Sequence, residues 1–206
     1  MAKLNAEKDT VTAQHYRVSG YPTIMVLQPD GAEIDRIVGY YHAPEFMGLV
    51  MDYLGGRRTL AAVQDSEKTM GEDPAFVFRL AERYYEHGLT DEAKKRYLKL
   101  AALDPGNKTG LVDDGLMELA FMSRKAKNYA EDRKYAQTVL EKYPDSDQMK
   151  SAFLEVGVTY KKQNEPAKAQ KIFLDYVKRF PDDGDAPWAK AQADTMAAWM
   201  ARKGHA

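Results

Sequence analysis

Cysteine is absent from all 206 residues. That absence excludes a disulfide framework, a thiolate zinc site and any thiol redox chemistry within the chain. Histidine is nearly as scarce: His15, His42, His87 and His205 are scattered, and none has another histidine three or four residues away, so metal-site spacing is missing. No apolar run approaches the roughly 18–20 residues that span a bilayer, and Met1 to Asp9 lacks the apolar stretch of a secretory signal. An excess of one charge is lacking too. Thirty basic against thirty-one acidic side chains leave a net charge of -1, whereas nucleic acid or an anionic membrane would select a basic excess. No serine or carboxylate pair sits in a recognisable nucleophile setting, and Asp113-Asp114 and Asp182-Asp183 read as charges at helix starts. The expectation is a chain without catalytic residue, metal or cofactor.

What is present is periodic. The hydrophobic fraction of 44% allows a real core, and much of it recurs in register with Asp104-Pro105, Tyr143-Pro144 and Phe180-Pro181, which lie 39 and 37 residues apart. Ahead of the first proline come Val77, Leu80, Ala81 and Tyr84 at helical spacing, then Gly88, then Ala93 and Tyr97. Ahead of the last come Phe153, Val156, Gly157 and Tyr160, then Asn164, then Ala169 and Phe173. Apolar residues at i, i+3, i+4 and i+7 predict two helices per repeat. Asp73-Pro74 supplies an N-cap and a first-turn proline, Gly88 and Asn164 suit a left-handed break, and the prolines close each repeat. The middle repeat is degenerate: Leu116, Leu119 and Ala120 match, but Ser123 replaces the aromatic and Asp132 the small residue. Its helices are expected to run longer, with a turn near Lys127-Asn128, to account for the 39-residue spacing. Residues 186–203 read as a further helix, with Ala189, Ala193, Ala197 and Ala201 on one side, and with Trp188 and Trp199 packing on the last repeat.

This pattern resembles the tetratricopeptide repeat. Its small residues match Ala81/Gly157 and Ala93/Ala169, where antiparallel helices touch, and its aromatics match Tyr84/Tyr160 and Tyr97/Phe173. The resemblance implies a mainly α fold: an α-solenoid of about three helical hairpins plus a terminal capping helix. It also implies a concave peptide-binding groove lined by Phe78, Glu82 and Tyr85, then Met117, Phe121 and Arg124, then Leu154, Val158, Lys161 and Lys162, an apolar stripe ending in a basic patch. The alternative is that the N-terminal part or the terminal helix covers this stripe. Phe78 and Glu82 stand where the chaperone-tail-binding subgroup would have Lys and Asn, so a chaperone tail is not the expected partner.

Residues 1–57 follow another pattern. A helix is followed by the apolar strand Ile24-Met25-Val26-Leu27, a turn at Pro29-Asp30-Gly31, a roughly alternating strand through Ile34, Arg36 and Val38, and an amphipathic helix from Ala43 to Leu54 stopped by Gly55-Gly56. The run Tyr16 to Thr23, then Pro29-Asp30-Gly31, Gly39-Tyr40 and Phe46, resembles the C-terminal half of a thioredoxin domain. That resemblance implies a cis bond before Pro22 and a substrate-contact loop at Tyr21 and Pro22; the other reading of these two residues is a plain tight turn. The Cys-x-x-Cys half of that domain is absent, so the family's catalytic residues do not transfer. A linker is expected at 58–73, with Leu60, Ala61 and Val63 in a short helix, and the helical domain at 74–206.

Two functions fit this sequence. The leading one is a non-enzymatic scaffold or adaptor that binds another protein or peptide, with no nucleic acid and no membrane insertion. The rival is a thiol-disulfide oxidoreductase or redox chaperone whose catalytic half lies outside this chain. An unpaired apolar edge at Ile24–Leu27 further suggests a homodimer through that strand. The sequence names no compartment; the resemblance to thioredoxin–repeat fusions leans towards the bacterial envelope.

Overall fold

In a computed structural model that describes residues 3–203, the chain is mainly α, a helical-repeat arrangement preceded by a small two-stranded sheet. His205 lies outside the described residues. The chain divides into two compact units, residues 1–103 and 104–206.

The N-terminal unit opens with a short helix α1 (Thr10–His15), capped by the Asp9 carboxylate, which accepts from the Thr12 N–H at 3.0 Å. The antiparallel hairpin of β1 (Thr23–Leu27) and β2 (Glu33–Val38) follows. Its turn falls at the expected place, where Gly31 takes a φ of 89° and Asp30 accepts from the Ala32 N–H. The Tyr21–Pro22 peptide bond is cis. Helix α2 (Ala43–Leu54) lies against β2, burying Leu49 and Tyr53 on Ile37, with Val26 packed beside them. Within 58–73 the expected short helix at Leu60, Ala61 and Val63 forms and runs on as α3 (Leu60–Met70), started by a Thr59 cap.

Helices α4 (Pro74–Glu86) and α5 (Thr90–Leu103) form the first hairpin. Asp73 caps α4 by accepting from the Phe76 N–H at 2.7 Å, and Gly88 takes a φ of 66° at the turn. The repeat residues named from sequence are its core: Val77, Leu80, Ala81, Ala93 and Tyr97 are buried together with Tyr84. Helix α3 is tied to this hairpin by Gln64 donating to the Tyr84 hydroxyl at 3.2 Å and by the Arg96–Glu67 ion pair at 2.9 Å.

The C-terminal unit holds α6 (Val112–Lys125) with α7 (Tyr129–Lys142), α8 (Met149–Lys162) with α9 (Pro166–Arg179), and α10 (Ala186–Lys203) packed on α9. The turn of the middle hairpin falls at Lys127-Asn128 as expected: Lys127 has a φ of 59°, and the Asn128 side chain caps α7. The expectation of longer helices there is corrected, because α6 and α7 match α8 and α9 in length. The extra residues of the 39-residue spacing lie in the loop at 104–111, longer than its counterpart at 143–148. Asp104 orders that loop by accepting from the N–H groups of Lys108 and Thr109, each at 2.9 Å.

Close approach decides the geometry of the last hairpin. A Cβ on Gly157 would lie 2.6 Å from a ring carbon of Phe173, and Phe173 is itself fully buried. On α10, Ala189 and Ala193 are buried as expected, but the inward row continues through Met196, leaving Ala197 half-buried and Ala201 exposed. We predict that Gly157→Ala destabilises this unit by about 1–3 kcal/mol through overpacking, although the change favours an isolated helix by about 1 kcal/mol. Urea denaturation gives the sign, and a gain in stability would contradict the close contact.

Candidate binding site

A cluster of polar side chains fixes the sheet to α4. Asp35 and Arg36, adjacent on β2, are both buried. The Asp35 carboxylate accepts from the Leu60 N–H at 2.6 Å and pairs with Arg83, while His87 Nε2 lies 3.1 Å from its Oδ1. Arg36 donates to Glu33 at 2.6 Å and reaches the carbonyls of Arg17 at 3.2 Å and Glu86 at 3.4 Å. Arg83 sits beside the Tyr53 ring and pairs with Glu86, and Ser19 donates to the same Glu86 carbonyl at 3.0 Å. The end of α4, where helix carbonyls lack helical partners, is thus met by arginine and serine donors. At Gly88 an added Cβ would come within 2.6 Å of the Arg17 carbonyl oxygen.

An aspartate, a histidine and arginines together resemble catalytic machinery, but most of their polar atoms are engaged by one another and by the backbone, with Arg83 Nε buried and unpartnered. These contacts hold the sheet to α4. The sequence pattern missed them because Asp35 and Arg36 lie on a strand read only for its alternating Ile34, Arg36 and Val38; buried charge on a strand leaves no periodic signature.

The positions assigned to a binding surface fall in both units. In the N-terminal unit, Phe78 is half-buried with its ring 5.8 Å from and edge-on to Tyr97, Glu82 is exposed and Tyr85 half-buried. Tyr21, of the loop before β1, is exposed, and Pro22 is half-buried.

In the C-terminal unit the assigned residues lie on α6 and α8. Phe121 is 37% exposed, with the Arg124 guanidinium 5.3 Å and the Lys125 ammonium 5.6 Å from its ring centre. Arg124 also pairs at 2.6 Å with Glu155 of α8, which joins the two helices. Met117 is half-buried one turn before Phe121. Lys161 and Lys162 are exposed, and Lys161 donates to Gln192 of α10 at 2.7 Å. Leu154 and Val158, by contrast, pack against the cluster built by α9 and α10. The terminal helix therefore takes part of the apolar stripe, and the exposed portion centres on Phe121. At the other end of α6, burial and then the charge of Asp114 raise the Glu118 carboxyl; Asp114, itself raised by burial, accepts from Gln148 at 2.7 Å. Charge along this face runs from acidic at the start of α6 to basic at the ends of α6 and α8.

Among the described residues, no group of three or more His, Asp or Glu could hold a metal ion, and no helix is long and apolar enough to cross a membrane. Residues 151–183 match the tetratricopeptide repeat family. The match takes in nearly all of α8 and all of α9, and it supports a tetratricopeptide-type protein. No curated protein matches the chain.

The Asp35 cluster has a pH signature. Burial pushes its carboxyl up, but His87, Arg83 and the Arg36 N–H outweigh burial and hold it at about 2, against an ordinary 3.8. A depressed carboxyl stabilises the fold fully above its unfolded value and loses that contribution as pH falls through the folded value. We predict a loss of about 2 kcal/mol between about pH 5 and pH 2. Hydrogen exchange at β2 amides reads it, and Asp35→Asn should start lower and change less over the same range.

Proposed function

We propose that the chain is a non-enzymatic adaptor that binds a segment of another polypeptide. The observation carrying this reading is Phe121: a large aromatic ring left 37% exposed between two cations, on a helix of a repeat array whose other large apolar side chains are mostly packed. Repeats of this type generally bind other proteins. Exposed aromatic and arginine residues are the side chains that most often anchor interfaces. Met117 extends the apolar patch, and Lys161 and Lys162 attract an acidic flank of the segment. The N-terminal unit offers candidate contacts of its own at Phe78, Glu82 and Tyr85, and Tyr21 and Pro22 offer another as a thioredoxin-like loop. A thiol oxidoreductase would need thiols, and this chain contains none.

A second copy of the chain is the partner proposed for the small sheet. Among the described residues the sheet has two strands, so one edge of β1 has no strand beside it. Ile24 and Leu27 on β1 and Met47, Met51 and Leu54 on α2 are exposed, an apolar density that a two-stranded hairpin does not cover by itself.

Phe121→Ala should weaken capture of the partner by about 30-fold, equivalent to about 2 kcal/mol, with helicity by circular dichroism unchanged. A variant that melts early yet binds normally would place Phe121 in the core and end the proposal. For the dimer, Ile24→Lys tests the edge more cleanly than a change at Val26, which packs into the core. Sedimentation should show a dimer that this variant dissociates; a monomer at high micromolar concentration rules the arrangement out.

A further inference from the structure

Behind Phe121 lies a buried group that an adaptor surface does not require. Asp132 of α7 is 0% exposed and stands where the flanking repeats carry Ala93 and Ala169. Neither of its carboxyl oxygens has a hydrogen-bond partner, and Oε1 of Glu155 on α8 has none either. The other oxygen of Glu155 accepts from Arg124 at 2.6 Å. Asp132 lies within interaction range of Glu155, whose unpartnered Oε1 is buried although the residue is only partly so; two carboxyl groups so placed do not both ionise readily, and a proton on Asp132 supplies the donor that the pair lacks.

We propose that Asp132 and Glu155 share one proton behind the Phe121 surface, and that its loss sets Arg124 more firmly inward and weakens the hold on an acidic partner segment. This rests on the adaptor reading above and adds a control to the same surface. The surroundings favour the protonated form. From α6 comes Arg124, which pairs with Glu155; the buried Ser123 of the same helix donates its hydroxyl to Glu131 at 3.4 Å. From α7 come Glu131 and Arg133, the latter directed to Gln163 and the Tyr160 ring. From α8 comes Glu155; Thr159 of that helix is buried and donates its hydroxyl to the Val156 carbonyl at 2.8 Å. Burial first, then Glu155, pushes the Asp132 carboxyl up to about 8, against the pull of Arg124 and Arg133.

With the proton bound, the pair carries one negative charge and Arg124 balances it. Once the proton leaves, the pair carries two. Arg124 is then held more strongly, and the added charge repels a carboxylate approaching Phe121. Lysines keep their charge over this range, so the dependence comes from behind the surface and not from Lys125, Lys161 or Lys162.

The test uses the intact chain with hexaglutamate as the acidic probe. Carboxyl carbon NMR should show Asp132 titrating in the neutral to mildly alkaline range. Calorimetry should show hexaglutamate binding about threefold or more tighter at about pH 6.5 than at about pH 8.5. Asp132→Ala, which restores the small residue of the other repeats, should remove the difference, and Glu155→Gln should shift the Asp132 titration towards acid. An Asp132 midpoint below about 5, equal hexaglutamate affinity at the two pH values, a difference that survives in Asp132→Ala, or no hexaglutamate binding at all would each overturn the proposal. None of these results bears on capture of the natural partner through Phe121, which the Phe121→Ala comparison decides separately.

Discussion

The helical hairpins depend on how closely two antiparallel helices can approach, and that distance is set by a few side chains without bulk. Gly157 lies under the Phe173 ring at a separation that no Cβ would tolerate. Ala81, Ala93 and Ala169 are buried completely. With such approach the aromatic rings beside these contacts fill the remaining space at interior density, and the apolar rows of both helices are removed from water together. The capping helix α10 extends the same logic, since Ala189 and Ala193 bring it close to α9. The middle hairpin keeps the arrangement while placing a carboxyl at one of these contacts. There the cost of burying charge replaces the cost of excess volume.

The sheet and α2 of the N-terminal unit are built on a different principle. Their apolar cluster is small, centred on Ile37, Leu49 and Tyr53, and three residues on α2 that would enlarge it, Met47, Met51 and Leu54, are exposed. Polar attachment supplies what that cluster lacks: Asp35, Arg36, Arg83 and His87 join strand, helix end and the loop at Arg17. Such a network gives direction and register more readily than it gives net stability, because desolvation offsets much of the attraction.

The difference between these two modes explains what could be read from sequence. Repeat spacing, caps and turn residues are local and periodic, so Asp73, Gly88, Lys127-Asn128, Asn164 and the hairpin cores were legible before any coordinates. The helical extent of α3 was not, since its Ser66 to Met70 turn is polar and owes its structure to α4 and α5. Nor was the reason for the longer middle spacing, which lies in the ordering of a loop by Asp104. On the candidate surface, the sequence lined one groove with Leu154, Val158 and Phe121, and it could not tell that Leu154 and Val158 pack partly against the cluster of α9 and α10. Asp132 stood out as a departure from the repeat, but that it is buried near Glu155 of the next helix only the fold reveals.

The position of the tryptophans has a practical side. The chain has two, and both belong to α10: Trp188 stands edge-on to Phe173 at 5.6 Å, and Trp199 lies under the Lys203 ammonium at 4.5 Å. Light emitted by this protein on selective indole excitation therefore reports on its last helix. A thermal melt followed by that emission records the undocking or fraying of α10, and the hairpin of β1 and β2 could come apart without altering the trace.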